Sequence, residues 1–117
     1  MVPVQVDDDV EVAADRVRPM LALYIGGMGA KGANFHKAVF ERMGYTAECD
    51  RIQELYLAGR KDEAVKAVTL EMVEKIALVG PRDKIASEIP AWNDSLVTTM
   101  VVGGDAESLR LMAELVL

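Results

Sequence analysis

The sequence is poor in the residues that build disulfides and metal centres. Its 117 residues include one cysteine, Cys49, and one histidine, His36. An internal disulfide is therefore excluded, and so is a zinc site of the usual multi-histidine kind. Cys49 lies at helical spacing from Ile52 and Tyr56. We therefore predict that Cys49 is a buried small hydrophobic residue and not a nucleophile.

Positive charge and aromatic rings are also scarce. The formal net charge is −6, and aromatic residues make up 5% of the chain. No lysine or arginine stripe is available to neutralise phosphates, so we expect no nucleic-acid partner. No apolar stretch reaches the roughly 20 residues that span a bilayer, and the acidic run Asp7-Asp8-Asp9 follows a very short apolar start. We expect a cytoplasmic protein without membrane contact.

Hydrophobic residues make up 51% of the chain, and most of them recur at helical spacing. Two segments differ: Val2–Val6 and Val97–Val102 are both predicted as strands, the second buried on both faces as in a parallel sheet. Between and after them, apolar stripes predict several helices. This order predicts a mainly helical α/β fold with about two parallel strands.

Proline and asparagine set several helix boundaries in this pattern. Pro19 removes a backbone donor, so the first helix should kink or divide near Arg18. Pro90 should likewise break or distort a helix beside Ile89. Asn34 is expected to cap the helix that follows it.

Glycine is concentrated in two places. Four glycines fall between Gly26 and Gly32, but this segment follows a helix, so it lacks the strand context of a nucleotide-binding motif. Such glycines indicate a positive φ, a close backbone approach or a hinge. Gly103-Gly104-Asp105 follows a strand, and it is either a capped turn or a phosphate site. Because Asp105 and Glu107 already place negative charge there, we favour the capped turn.

Three segments together resemble a known family: residues 21–36, Tyr-Leu-Ala-Gly-Arg at 56–60 and Leu-Val-Gly-Pro at 78–81. The chain is similar over nearly its whole length to the C-terminal part of luciferase-like monooxygenases and deazaflavin-dependent oxidoreductases. That resemblance implies a (β/α)8 TIM barrel, with Val2–Val6 as its seventh strand and Val97–Val102 as its eighth.

A complete barrel of this kind needs roughly 250 residues. The resemblance therefore implies the C-terminal portion of a barrel, incomplete as a barrel, in one domain over residues 1–117. A helical insertion would occupy about residues 8–78. The chain would then be a fragment or a shortened form of the enzyme.

Enzymes of this family bind FMN or a deazaflavin coenzyme and transfer hydride or activate oxygen for monooxygenation. The resemblance implies that the chain contributes to the lining of the coenzyme pocket. It assigns no catalytic residue and no metal ligand, because most strands that hold the coenzyme ring would lie outside this chain. We therefore expect no turnover by the chain alone, which need not bind the coenzyme by itself. The matching positions are Tyr24, Gly26, Gly27, Met28, Gly29, Asn34 and His36.

A different class of function remains open, namely a non-enzymatic helical module that works by self-association. Two strands cannot close a barrel, so they would show unpaired edges and the apolar side chains of Val4, Val6, Val97, Met100 and Val102. A second copy of the chain, or a complementing barrel fragment, would cover them.

Overall fold

A computed structural model of the chain describes residues 1–30 and 32–117. By their contacts these fall into two compact units: residues Met1–Val17 with Glu74–Leu117, and residues Arg18–Val73. The interpretation of residues 1–117 as one domain with a helical insertion stays a prediction. No helix in the described part of the chain has both the length and the apolar character needed to cross a membrane.

The protein is a mainly helical α/β protein with a small parallel sheet, as the sequence predicted at this level. In chain order its elements are β1 (Val2–Val6), α1 (Val10–Asp15), α2 (Arg18–Gly26), α3 (Phe35–Arg42), α4 (Thr46–Leu57), α5 (Lys61–Ala67), α6 (Leu70–Ile76), β2 (Leu78–Gly80), α7 (Arg82–Asn93), β3 (Val102–Gly103) and α8 (Ala106–Val116).

The first unit is organised around β1, the central strand of the sheet. The strand order is β2-β1-β3, and both pairings are parallel. Val4 pairs with Leu78 and Val2 with Val102. The core of this unit joins β1 and β2 to α7 and α8, and it consists of Val4, Leu78, Ile85, Ile89, Leu111 and Met112. The sheet is open, because β2 and β3 each pair with β1 alone in the described residues.

One predicted strand is shorter than expected, and one strand was not predicted. The strand β2 was not predicted, because three residues are too few to show a period. The predicted strand Val97–Val102 is reduced to β3 at Val102–Gly103. Val97 and Val101 are exposed rather than buried on both faces, because in the described structure no second strand pairs with this edge.

The two prolines behave differently. Pro19 is the second residue of α2, and the chain divides between α1 and α2 as predicted. Of the break or distortion predicted beside Ile89, the break is wrong, since α7 continues through Pro90 to Asn93. Pro90 falls in the last turn of α7, where the backbone oxygen of Pro90 still accepts the amide of Asp94 at 3.0 Å. The helix therefore loses one hydrogen bond without ending.

The second unit is entirely helical in its described residues. Its buried side chains come from α2, α3, α4, α5 and α6, and they include Leu21, Ile25, Phe40, Ile52, Leu55, Ala64 and Met72. Arg18 begins α2 and is also buried, with its Nε donating to the backbone oxygen of Val68 at 2.8 Å. That bond ties the start of α2 to the end of α5.

Truncation of the core of the first unit tests this packing. Ile85→Ala should lower the free energy of unfolding by about 2–5 kcal/mol, because Ile85 is fully buried and its removal leaves a cavity. Val116→Ala, at an exposed position of α8, should change it by less than about 0.5 kcal/mol. Urea unfolding followed by circular dichroism measures both, and equal effects of the two variants would contradict the assigned core.

Candidate functional site

The glycine segment connects α2 to α3 in the second unit. It begins at Gly26, the last residue of α2, and ends at Asn34, the N-cap of α3. Gly29 and Gly32 both have positive φ, at 136° and 90°, a conformation that other residues rarely adopt. Lys31 lies outside the described residues. The positive φ expected of these glycines is confirmed at these two positions.

Asn34 fastens the two helices together. Its side-chain nitrogen donates to the backbone oxygens of Tyr24 and Ile25, both at 2.9 Å. Its side-chain oxygen accepts the amide of Lys37 at 3.0 Å, which confirms the predicted cap of α3. One buried side chain thus satisfies carbonyls at the end of α2 and an amide at the start of α3. Both its amide nitrogen and its oxygen are therefore already engaged within the chain.

Gly26 and Gly27 make room for an aromatic side chain. A Cβ on Gly26 would lie 2.5 Å from Cβ of Tyr56, and a Cβ on Gly27 would lie 2.5 Å from Cε1 of the same ring. The Tyr56 ring also has the ammonium of Lys61 at 5.4 Å from its centroid. These two glycines therefore serve a close approach between α2 and α4, one of the uses that the sequence left open.

Three other residues predicted to line the coenzyme pocket lie near the surface of the same connection: Tyr24, Met28 and His36. The rings of Tyr24 and His36 stack at 4.6 Å between centroids with planes 16° apart. His36 is exposed, and Met28 is also exposed. The structure thus brings Tyr24, Asn34 and His36 together at the junction of α2 and α3. That these positions line a coenzyme pocket stays a prediction.

A polar cleft in the second unit was not foreseen from the sequence. It has a volume of about 740 Å³, and its lining includes Gly32 of the glycine segment together with Lys37, Asp50, Gln53 and Glu54. Nζ of Lys37 lies 2.7 Å from Oδ1 of Asp50. The hydrogen bond that Lys37 donates to the Asp50 carboxylate raises the pKa of Lys37, so the ammonium stays charged.

Gln53 is the unusual residue of this cleft. It is buried, and its Nε2 has no hydrogen-bond partner in the described structure. An unmet buried donor of this kind costs about 1–3 kcal/mol. The available sequence signal was Gln53 itself, a polar residue four positions after buried Cys49 on α4.

The second glycine turn is a capped βα turn, as we favoured. Asp105 is the N-cap of α8, and its carboxylate accepts the amide of Ser108 at 2.8 Å. Hydrogen bonding from Ser108 lowers the pKa of Asp105. A Cβ on Gly104 would collide with the backbone oxygen of Val4. Oγ of Ser108 accepts the amide of Val6 at 3.0 Å, so this turn fastens α8 to β1.

Cys49 is fully buried, which confirms its predicted place in the core. Burial raises the pKa of its thiol to about 11. A neutral, inaccessible thiol is a poor nucleophile and a poor metal ligand. Across residues 1–30 and 32–117 there is no group of three or more histidine, cysteine, aspartate or glutamate side chains that could hold a metal ion.

The first unit has the fold of an α/β protein with a parallel sheet. Helices follow each strand of an open parallel sheet, so the first unit is built from βα elements. The second unit adds helices and a glycine connection with stacked aromatic rings.

Comparison with known proteins agrees with this α/β fold and identifies the family. A family model described as luciferase-like monooxygenase matches residues 1–99. The chain belongs to this family, which confirms the resemblance. It is 43% identical over 114 residues to a Mycobacterium tuberculosis protein described as "Putative coenzyme F420-dependent oxidoreductase". That alignment covers 97% of the chain and 33% of the relative, so the chain spans about a third of the relative's length. No solved structure matches the chain.

The hydrogen bonds by which Asn34 joins the end of α2 to the start of α3 can be tested by a substitution that keeps the N-cap. Asn34→Asp retains an N-cap acceptor but loses both bonds from the side-chain nitrogen, so it should destabilise the chain by about 1–3 kcal/mol. Asp9→Asn is the matched control, because the Asp9 side chain acts as the N-cap of α1. Chemical unfolding should show a change below about 0.5 kcal/mol for this control. If Asn34→Asp leaves the free energy of unfolding unchanged, the two bonds from the side-chain nitrogen of Asn34 do not stabilise the chain.

The burial of Cys49 predicts its reactivity. A disulfide reagent at pH 8 should leave the native thiol unmodified and should label it only after urea unfolding, and absorbance of the released thiolate reports both rates. The folded pKa of about 11 lies above the ordinary 9.0. The stability that comes from keeping this thiol neutral is therefore complete below pH 9 and is lost as the pH rises toward 11. Rapid labelling of native chain at pH 8 would contradict the assigned burial.

Proposed function

We propose that the chain is part of a luciferase-like oxidoreductase that works with a deazaflavin coenzyme, with FMN as the alternative. The observation that carries this proposal is the 43% identity, over nearly the whole chain, to the F420-dependent relative. Identity at this level over 114 residues favours a shared coenzyme class more than a shared fold alone would. The reaction class that follows is hydride transfer or monooxygenation.

The architecture supports a place in the C-terminal portion of a (β/α)8 barrel. All three strands are parallel and are followed by helices, as in a barrel of this type. Both outer strands keep an edge that further parallel strands could extend. We therefore propose that the chain alone does not enclose an active site and does not turn over substrate.

An apolar cleft beside β3 supports the proposal that another chain segment covers the open edge of this strand. It has a volume of about 380 Å³, and Trp92, Val97, Met100 and Val102 are among its lining residues. Further barrel strands, supplied by a complementing fragment or a second copy of the chain, would cover such a surface. We propose a cytoplasmic location for the assembly, since the chain's lone cysteine is unpaired.

The residues at the junction of α2 and α3 fit contact with a flat coenzyme ring in two ways. The stacked Tyr24 and His36 rings and the exposed Met28 side chain offer apolar and aromatic contact. Gly27 and Gly29 would act through their backbone, because the space that a Cβ would need is taken by Tyr56 at Gly27 and by Ala33 and Asn34 at Gly29. The coenzyme, when bound, would supply the hydride chemistry. Gly26 and Asn34 would act indirectly, by fixing the position of this surface.

Coenzyme binding tests the proposal directly. Titration of the chain with coenzyme F420, followed by coenzyme fluorescence, should saturate, and His36→Ala should weaken the affinity about tenfold, or about 1.4 kcal/mol. Phe35→Ala is the matched control, because this neighbouring side chain is 87% exposed. It should change the affinity less than about twofold. A parallel FMN titration shows which coenzyme is preferred.

Two outcomes would overturn parts of this proposal separately. If neither F420 nor FMN binds saturably to folded chain, the residues at the junction of α2 and α3 do not form a coenzyme surface by themselves. If the purified chain oxidises reduced coenzyme with multiple turnovers, the claim of inactivity alone is wrong.

A further inference from the structure

The edge of β1 that faces β3 carries a separate inference. Successive backbone amides of a strand point to opposite edges. On the β2 side, the amide of Asp7 donates to the backbone oxygen of Gly80 at 3.0 Å. By this alternation Pro3, which has no amide hydrogen, also belongs to the β2 side, whereas the amides of Val2 and Val6 face β3. The edge facing β3 therefore keeps a regular series of donors along β1, which proline does not interrupt.

Three parts of the chain cover this edge in turn. At β3, the amide of Val2 donates to the backbone oxygen of Val101 at 2.8 Å. The backbone of Gly104 then lies directly against β1, where a Cβ would have no room. Further along, Oγ of Ser108 accepts the amide of Val6 at 3.0 Å. A side-chain hydroxyl thus takes the place of a strand carbonyl, and β3, Gly104 and Ser108 together form what we call the edge cover.

The hydroxyl of Ser108 is held in place by α8 and not by the sheet. Ser108 is fully buried, and its own amide donates to the carboxylate of Asp105, the N-cap of α8, at 2.8 Å. Leu111 and Met112 hold the same helix in the core of the first unit. Ser108 is therefore a fixed acceptor, which keeps the last amide of this edge satisfied without a further strand.

The edge cover replaces a long strand edge with a short one. The strand β1 has five residues, whereas β3 has two, and residues 97–101 before β3 form no strand. A long unpaired edge is a template for pairing with another chain, and a very short edge strand is one of the means by which proteins prevent such pairing. The cover therefore withholds from other chains the longest strand of the sheet.

We propose that the edge cover is an autoinhibitory contact, which keeps β1 from pairing with β1 of a second copy of the chain. Once the cover is displaced, two copies join through these edges about a two-fold axis, with the two strands antiparallel. A second copy fits because the edge is self-complementary, since it offers amide donors and carbonyl acceptors in alternation. This inference rests on the strand pairing of the first unit and does not depend on the coenzyme proposed above.

Two variants open the edge cover in different ways. Ser108→Ala removes the acceptor of Val6 and leaves that amide unpaired. Gly104→Ala adds a Cβ that would collide with the backbone oxygen of Val4, so the turn is pushed away from β1. For each variant, sedimentation velocity over a range of concentrations should give a dimer dissociation constant about tenfold lower than that of the unchanged chain, because an unpaired amide gains an acceptor in the dimer.

The matched control is Ile85→Ala, which destabilises the same unit without touching the edge cover. Ile85 is fully buried in α7, so its truncation leaves a cavity. This variant should lower the midpoint of thermal unfolding at least as far as Ser108→Ala does. Its dimer dissociation constant should stay within about twofold of that of the unchanged chain.

Amide hydrogen exchange locates the pairing within the dimer. In dilute Ser108→Ala, the amide of Val6 should exchange faster than in the unchanged chain, and it should regain protection as the concentration rises and the dimer forms. The amide of Asp7 is bonded to Gly80 on the opposite edge. Its protection should therefore not depend on concentration.

Several results would overturn the proposal. One is a dissociation constant that neither Ser108→Ala nor Gly104→Ala lowers. Another is equally tight association of Ile85→Ala, which would show that partial unfolding and not an open edge drives dimerisation. A third is association without regained protection of the Val6 amide, which would place the contact on another surface, such as the apolar cleft beside β3. None of these results bears on coenzyme binding at the junction of α2 and α3, so the two proposals fail separately.

Discussion

The first unit depends on parallel pairing to both sides of β1. Val4 lies at the centre of that strand with no exposed surface, paired with Leu78 of β2 and packed in the core that α7 and α8 complete. The turn before α8 reinforces the same strand, because Oγ of Ser108 accepts the amide of Val6. Parallel strands buried under helices need this apolar centre. Since β1 is the only strand with two neighbours in the described structure, β2 and β3 remain edges.

The second unit depends on a different kind of constraint. Its helices are brought close by small residues and fixed by polar side chains that bond to the backbone. Gly26 and Gly27 admit the ring of Tyr56, while Asn34 satisfies groups at the end of α2 and the start of α3. The glycine segment therefore serves first to pack these helices closely together. A coenzyme role for it would use the surface that this packing holds in place.

The sequence predicted the parts of the structure that leave a periodic or a local chemical signal. Val2–Val6, the apolar helical stripes, the division at Pro19 and the cap at Asn34 all have such a signal. It could not predict β2, because three residues pair only when the rest of the sheet is present. The strand prediction for Val97–Val101 was wrong for a related reason. Residues with high strand propensity form a strand only when a neighbouring strand is there to accept and donate hydrogen bonds. The cleft at Gln53 was missed because its residues lie on different helices, and only folding brings Lys37 beside Asp50.

The strand β1 holds the central position in the parallel sheet of the first unit. Amide hydrogen exchange of the purified chain, resolved by residue, tests that position most directly. The amides of Val4 and Val6 should exchange at the slow rate set by global unfolding of the first unit, while the amides of residues 97–101 should exchange quickly. Equally fast exchange in β1 and in residues 97–101 would contradict this expectation, because it would show that no stable sheet exists in this chain.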